Sequence, residues 1–178
     1  MAKFDPNESF ELERYNPEWP QHFEEECHLI EEALGDHVLE LNHIGSTSIP
    51  GMRAKPIIDI QLVVEAFAPI EEYERLLSGL GYHLHAHKDF DQRDHLFFWK
   101  GEPRTHHLHV SEYATWEHYR YLLFRDYLCK HPEMAQQYQA IKQELADAFK
   151  AKRPAYTKGK TAFIESVVAY ALEELGDE

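Results

Sequence analysis

The sequence predicts a mixed α/β domain that ends in a helical segment, and three observations carry that reading. Residues 56–64, Pro-Ile-Ile-Asp-Ile-Gln-Leu-Val-Val, are mostly β-branched or aliphatic, the composition of a buried strand. Segments with helix-spaced apolar residues lie on both sides of that run. After Ser111 the strand-like stretches stop, and apolar residues recur only at steps of three and four. The expectation is one domain over 1–178, with the mixed part at about 1–112 and C-terminal helices at about 113–176.

Each element has its own signal. Phe10-Glu-Leu-Glu-Arg-Tyr15 alternates and predicts a short strand. Asn16 is placed as the cap of a helix, with Pro17 at its first position. Trp19, Phe23, Cys27, Ile30 and Leu34 share one face of that helix, and Gly35 ends it. Val38 to Ile44 predicts a strand, and Gly45 to Lys55 a loop or short helix rich in Gly, Ser, Thr and Pro. The strand at 56–64 follows, then a helix from Pro69 to Leu80 closed by Gly81. Tyr82–His87, Leu96–Trp99 and Thr105–Val110 are three further strand candidates. Beyond them, three amphipathic helices are predicted. Their apolar faces are Trp116/Tyr119/Leu123/Tyr127, Met134/Tyr138/Ile141/Leu145/Ala148 and Ile164/Val167/Ala171/Leu175, with breaks at Pro132 and Pro154.

Composition excludes several function classes. The 18 basic residues stand against 32 acidic ones, for a formal charge of −14, whereas a sequence-blind nucleic-acid coat needs a basic excess. No apolar run approaches the roughly 20 residues of a membrane span. The first residues lack the basic-then-apolar order of a signal peptide. Cys27 and Cys129 form neither a CxxC pair nor a disulfide framework. A cytoplasmic protein without membrane or nucleic-acid partners is expected. Its oligomeric state is not legible.

Charge is unevenly spread. Residues 1–52 hold two basic and twelve acidic residues, with Glu24–Glu26 and Glu31–Glu32 read as the wet face of a helix. Lys150, Lys152, Arg153, Lys158 and Lys160 form a basic patch within eleven residues that could add phosphate contacts, although Lys158 and Lys160, near Tyr156, read first as surface lysines near a helix start. Seven of the 13 histidines lie between His83 and His109.

The chemistry concentrates at 43–61, His-Ile-Gly-Ser-Thr-Ser-Ile-Pro-Gly-Met-Arg-Ala-Lys-Pro-Ile-Ile-Asp-Ile-Gln. Gly45 and Ser46 open a turn after a strand, where a ligand can approach the backbone and small hydroxyls, Thr47 included, can meet phosphate oxygens. Asp59 interrupts an apolar strand, which is unfavourable for a carboxylate unless it has a partner or a metal. On the pleat Asp59, Gln61 and Val63 share one face.

This stretch resembles the GrpB family, a nucleotidyltransferase-like family. Outside it, Tyr15-Asn-Pro-Glu-Trp19, His107-Leu-His-Val110 and Phe124-Arg-Asp-Tyr-Leu128 extend the resemblance over most of the chain. The resemblance implies a nucleotidyltransferase-like mixed sheet flanked by helices. In that superfamily a Gly-Ser turn holds the triphosphate, and carboxylates on the following strands hold Mg²⁺ for in-line attack on phosphorus. Gly45 and Ser46 match the phosphate turn, and Asp59 matches the first metal carboxylate. Gln61 stands where the pattern places a second carboxylate, and the strand at 105–110 offers His107 and His109 instead of a third.

The leading expectation is therefore a nucleotidyl- or phosphoryl-handling enzyme acting on a nucleotide or phosphorylated small molecule with a divalent metal. Asp59, His107 and His109 are its catalytic candidates, with Asp59 and His109 as metal ligands. Gly45, Ser46, Thr47, Lys55 and Arg104 are its substrate contacts. Mg²⁺ or Mn²⁺ is the expected ion, and Zn²⁺ or Ni²⁺ the alternative. Two other readings stay open. One is a non-catalytic nucleotide- or anion-binding module. The other is a His-rich metal-dependent hydrolase, in which His83, His85 and His87 would lie beside His107 and His109. The His83-Leu-His-Ala-His87 run also mimics a histidine-triad motif, but Lys88-Asp89 follow where that motif needs apolar residues.

Overall fold

A computed structural model describes residues 5, 8–85, 95–150 and 152–176. Five strands form one mixed sheet: β1 (Glu40–Ile44), β2 (Ile58–Val64), β3 (Tyr82–Leu84), β4 (Leu96–Lys100) and β5 (His106–Glu112). The order is β1-β2-β5-β4-β3. Only β2 and β5 run parallel, and the other neighbours are antiparallel. Helices α1 (Trp19–Leu34) and α2 (Ile70–Ser78) belong to the first half of the chain. Helices α3 (Trp116–Lys130), α4 (Pro132–Ala148), α5 (Arg153–Gly159) and α6 (Thr161–Gly176) follow the sheet.

Alternation on β2 and β5 sorts the molecule into two sides. Ile58, Ile60, Leu62, Val64, Leu108 and Val110 pack with Trp19, Ile30 and Leu34 of α1 and with Tyr73 and Leu77 of α2. Asp59, Gln61, His107, His109 and Ser111 point the other way, towards α3. A second apolar cluster joins Ile49 and Met52 of the loop after β1 to Phe124 and Leu128 of α3, Tyr138 of α4 and Val167 and Val168 of α6. A third gathers Phe10, Leu12, Ala146 and Tyr156. The helical part thus packs through clusters of its own and does not extend the sheet core.

Several expectations need correction. Phe10–Tyr15 forms no strand; it makes a single bridge, Glu13 to Ala54. Asn16 caps a turn just before α1 by accepting from the Glu18 N–H at 2.9 Å, and Gly35 closes the helix at φ +52° as expected. The strand candidate at 82–87 has three strand residues, and His87 lies outside the described residues. Pro154 sits in the first turn of an additional helix, α5, which makes four C-terminal helices. The buried face of α3 is His118, Phe124 and Leu128, while Trp116 and Tyr119 are exposed. That helix lies over the polar side of the sheet, so its inward positions there are partly polar, while Leu123 and Tyr127 of the predicted face pack against the second cluster. No helix among the described residues is long and apolar enough to cross a membrane.

Candidate metal and phosphate site

Parallel pairing of β2 with β5 sets Asp59 opposite His107 and Gln61 opposite His109. Asp59 Oδ1 accepts a hydrogen bond from His107 Nδ1 at 2.9 Å and lies 3.9 Å from His109 Nε2. Donor atoms of Asp59, His107 and His109 all fall within 4.8 Å of one another. Phe97 of β4 holds both imidazoles, with ring centroids 5.1 Å from His107 and 5.0 Å from His109. Behind His109, the Tyr121 hydroxyl lies 3.4 Å from Nδ1 and accepts from Arg120 at 3.0 Å.

Gly45 closes the other side. It has φ +70°, and a Cβ built there would stand 2.5 Å from Asp59 Oδ2. Both its backbone angle and this close approach require glycine. The Gly-Ser turn expected to grip phosphate therefore abuts the carboxylate expected to hold metal. Ser46 shares a side-chain hydrogen bond with Tyr138.

These residues line a cavity of about 740 Å³ together with His85, His95, Lys55 and Lys160. Among the described residues its wall carries six Lys and Arg side chains and one carboxylate, Asp59, in a protein of charge −14. Lys158 and Lys160, read from the sequence as surface lysines, both belong to that wall. Two other expectations change. The Thr47 hydroxyl bonds His43 Nε2 at 2.9 Å, so it helps hold the turn in place at the cavity wall. Arg104 reaches the wall, but its guanidinium is paired with Glu8 at 2.6 Å and donates to the Asp5 carbonyl at 2.8 Å. Arg153 shares the same Glu8 carboxylate at 3.0 Å.

His83 and His85 do not join the Asp59 cluster, because β4 separates β3 from β5, although His85 reaches the same cavity wall. Gln61 is fully buried and committed. Its amide nitrogen lies 3.2 Å from Ser111 Oγ and 3.1 Å from the carbonyls of both Glu117 and His118, and its oxygen faces Asn42 at 3.4 Å. It pins the start of α3 to the sheet and takes no part in the cavity wall.

Electrostatics suit metal ligation. Burial alone would raise the Asp59 carboxyl, but hydrogen bonds and charge from His107 and His109 hold it well below the usual carboxylate range. Burial pushes His107 down against the pull of Asp59. A neutral imidazole thus faces an ionised carboxylate, the protonation states that ligands need. Among the described residues His107 Nε2 is buried with no hydrogen-bond partner, as fits a donor kept for an ion. Burial lowers the Lys55 ammonium to about 7, with repulsion from Lys160 and Arg153 adding to it. Lys160 is lowered by burial to about 8.

Sequence reasoning missed Tyr121 and Tyr156 as parts of the wall, whereas Lys158 and Lys160 come from the 150–160 patch that the sequence offered for phosphate contacts. The usable signal was a basic patch at 150–160 in a strongly acidic chain.

The family described as GrpB protein matches residues 9–169. The UPF0157 protein PA4798 of Pseudomonas aeruginosa is 42% identical over 165 residues; the alignment covers 88% of this chain and 65% of that protein. The crystal structure of GrpB from Enterococcus faecalis superposes with a TM-score of 0.83 at 32% identity, covering 93% of this chain and 99% of that one. A dephospho-CoA kinase of Mycolicibacterium paratuberculosis is 28% identical over 155 residues, an alignment that takes in 72% of this chain and 37% of the kinase. With its fold, its Gly-Ser turn and its family match in agreement, the chain belongs to the GrpB family.

Proposed function

We propose that the cavity binds a nucleotide or phosphorylated small molecule around one divalent metal ion, as a phosphoryl- or nucleotidyl-handling enzyme. The observation that carries this reading is the Asp59–His107–His109 cluster, set against Gly45 in a basic cavity. Two imidazoles and one carboxylate suit Mn²⁺, Zn²⁺ or Ni²⁺ better than Mg²⁺, which prefers oxygen ligands. Bound there, the ion would polarise a phosphoryl oxygen and offset developing charge. Asp59 and His109 would hold it, with His107 either completing the set or carrying a proton at Nε2. The Gly45-Ser46 turn would seat a phosphate, and Lys55 would neutralise it. The partial likeness to a protein named a kinase is in keeping with phosphoryl chemistry.

A second reading has its own observation. Gln61 occupies the place of the second carboxylate and is locked into the fold, which favours a binding module that retains a ligand without turning it over. A thermal-shift screen of ATP, ADP and AMP with Mn²⁺, Zn²⁺, Ni²⁺ or Mg²⁺, followed by product analysis, separates the two. Stabilisation that needs both nucleotide and metal supports the site. Turnover then marks an enzyme, and binding without turnover marks the module. No stabilisation by any combination would contradict both.

A further inference from the structure

An imidazole binds an ion only through a nitrogen that carries no hydrogen, so the tautomer of His109 decides whether it can serve the Asp59 cluster. Its two ring nitrogens face different groups. Nε2 lies 3.9 Å from Asp59 Oδ1, longer than an ordinary hydrogen bond and within the span of two bonds of about 2.1 Å to one shared ion. Nδ1 faces the Tyr121 hydroxyl at 3.4 Å. The ring packs against both Phe97 and Tyr121, with centroids 5.0 and 5.3 Å away.

Tyr121 is itself held. Its oxygen accepts from Arg120 at 3.0 Å, and the Arg120 guanidinium lies 4.4 Å from the Tyr121 ring centroid. Arg120 pairs with Glu117 at 2.8 Å, and the Glu117 carbonyl accepts from the Gln61 amide at 3.1 Å. Gln61 is also the register partner of His109 in the sheet. The path therefore closes on itself: the residue beside His109 on β2 fixes the start of α3, and α3 returns Tyr121 to His109. Burial pushes the phenol up to about 12, so it is neutral near pH 7. Arg120 takes one lone pair of the phenol oxygen and leaves the other for an Nδ1–H.

We infer that Tyr121 is a positioning residue of the metal site: its oxygen accepts the Nδ1 hydrogen of His109, fixes the tautomer and leaves Nε2 bare towards the ion. Metal-binding imidazoles commonly donate their other N–H to such an outer partner, and losing that partner lowers metal affinity about 10–100-fold. The opposite tautomer would carry its hydrogen on Nε2, on the side of Asp59, and would compete with the ion for the same place. Tyr121 touches no ion on this account and acts only through His109. The inference rests on the proposed metal reading and adds to it a residue outside the Asp59–His107–His109 set.

Heteronuclear NMR of the histidine-labelled, metal-free full chain reads the tautomer, with the His109 signal identified by its loss in His109→Ala. Hydrogen on Nδ1 is expected in the unmodified protein. Tyr121→Phe keeps the ring against His109 and removes the acceptor, so the hydrogen should move to Nε2, where Asp59 can receive it. Calorimetric titration should then show Mn²⁺ binding about 10–100-fold weaker in Tyr121→Phe than in the unmodified protein. Weaker Mn²⁺ binding with an unchanged tautomer would mark a merely structural role and overturn the inference. Unchanged Mn²⁺ affinity in Tyr121→Phe, or hydrogen on Nε2 in the unmodified metal-free protein, would overturn it and leave the metal reading standing. The second of these is read without the variant, so it decides even if Tyr121→Phe fails to fold. No Mn²⁺ binding to the unmodified protein would overturn the metal reading and this inference together.

Discussion

On the side of the sheet turned towards α1 and α2, Ile58, Ile60, Leu62, Leu108 and Val110 are almost completely buried among other apolar side chains. On the opposite side the alternate residues of the same two strands are Asp59, Gln61, His107, His109 and Ser111. The first set gains stability simply by leaving water, at about 1.5–3 kcal/mol for each fully buried aliphatic side chain. The second set gains little unless every polar atom finds a partner. Gln61 finds its partners in the start of α3. In the Asp59 cluster, His107 Nε2 is buried with no hydrogen-bond partner among the described residues. One side of the sheet therefore stabilises the fold, and the other holds polar groups, of which that nitrogen has no partner among the described residues.

The largest effect that distinguishes the sides should come from the apolar one. Phe98 of β4 is fully buried in the sheet core. Phe98→Ala should remove about 3–5 kcal/mol, read as a lower midpoint in urea unfolding. A loss below about 1 kcal/mol would mean that this side is not the main source of stability.

Gln61 provides the next test, because by sequence pattern alone Gln61→Asp would restore a metal carboxylate. In the structure it would bury a charge against the carbonyls of Glu117 and His118. The expected outcome is a loss of about 3 kcal/mol with no gain in Mn²⁺ affinity. Tighter Mn²⁺ binding in a stable variant would show that Gln61 belongs to the site after all.

A smaller effect should appear in the pH dependence. Burial lowers the Lys160 ammonium from 10.5 to about 8. Below pH 8 it is protonated in both folded and unfolded chains, and its full penalty on the fold is present. Between about pH 8 and 10.5 the unfolded chain binds the extra proton, so the penalty fades as pH rises. The melting-temperature advantage of Lys160→Gln over the unmodified protein should therefore be greatest below pH 8 and should shrink towards pH 10. An advantage that grows with pH would have the wrong sign for a desolvated cation.

The same division explains what was legible in the sequence. The Ile58–Val64 strand and the Gly45-Ser46 turn followed from local pattern, and the nearness of Asp59 to His107 and His109, 48 and 50 residues away, followed only from the arrangement that the family resemblance implies. The inward face of α3 was not legible, since the surface it covers is polar and selects Glu117, His118 and Tyr121 over the apolar Trp116. The partners of Arg104 and Thr47 were hidden, and so was the packing that carries Lys160 into the cavity wall. Arg104 is paired with Glu8, 96 residues away in sequence. Thr47 is held by His43, and Lys160 is placed by the packing of a short helix whose start read as a break.

The most direct test of the central claim, that Asp59, His107 and His109 form a divalent-metal site, is Mn²⁺ binding to the unmodified protein and to Asp59→Asn, followed by electron paramagnetic resonance and calorimetry. Asparagine nearly matches the shape of aspartate and fits beside Gly45, so the variant should melt within about 3 °C of the original, a change on the order of 1 kcal/mol. The account predicts one Mn²⁺ per chain in the unmodified protein and at least a hundredfold weaker binding, about 2.7 kcal/mol, in the variant. Equal stoichiometry and affinity in the two proteins would contradict it.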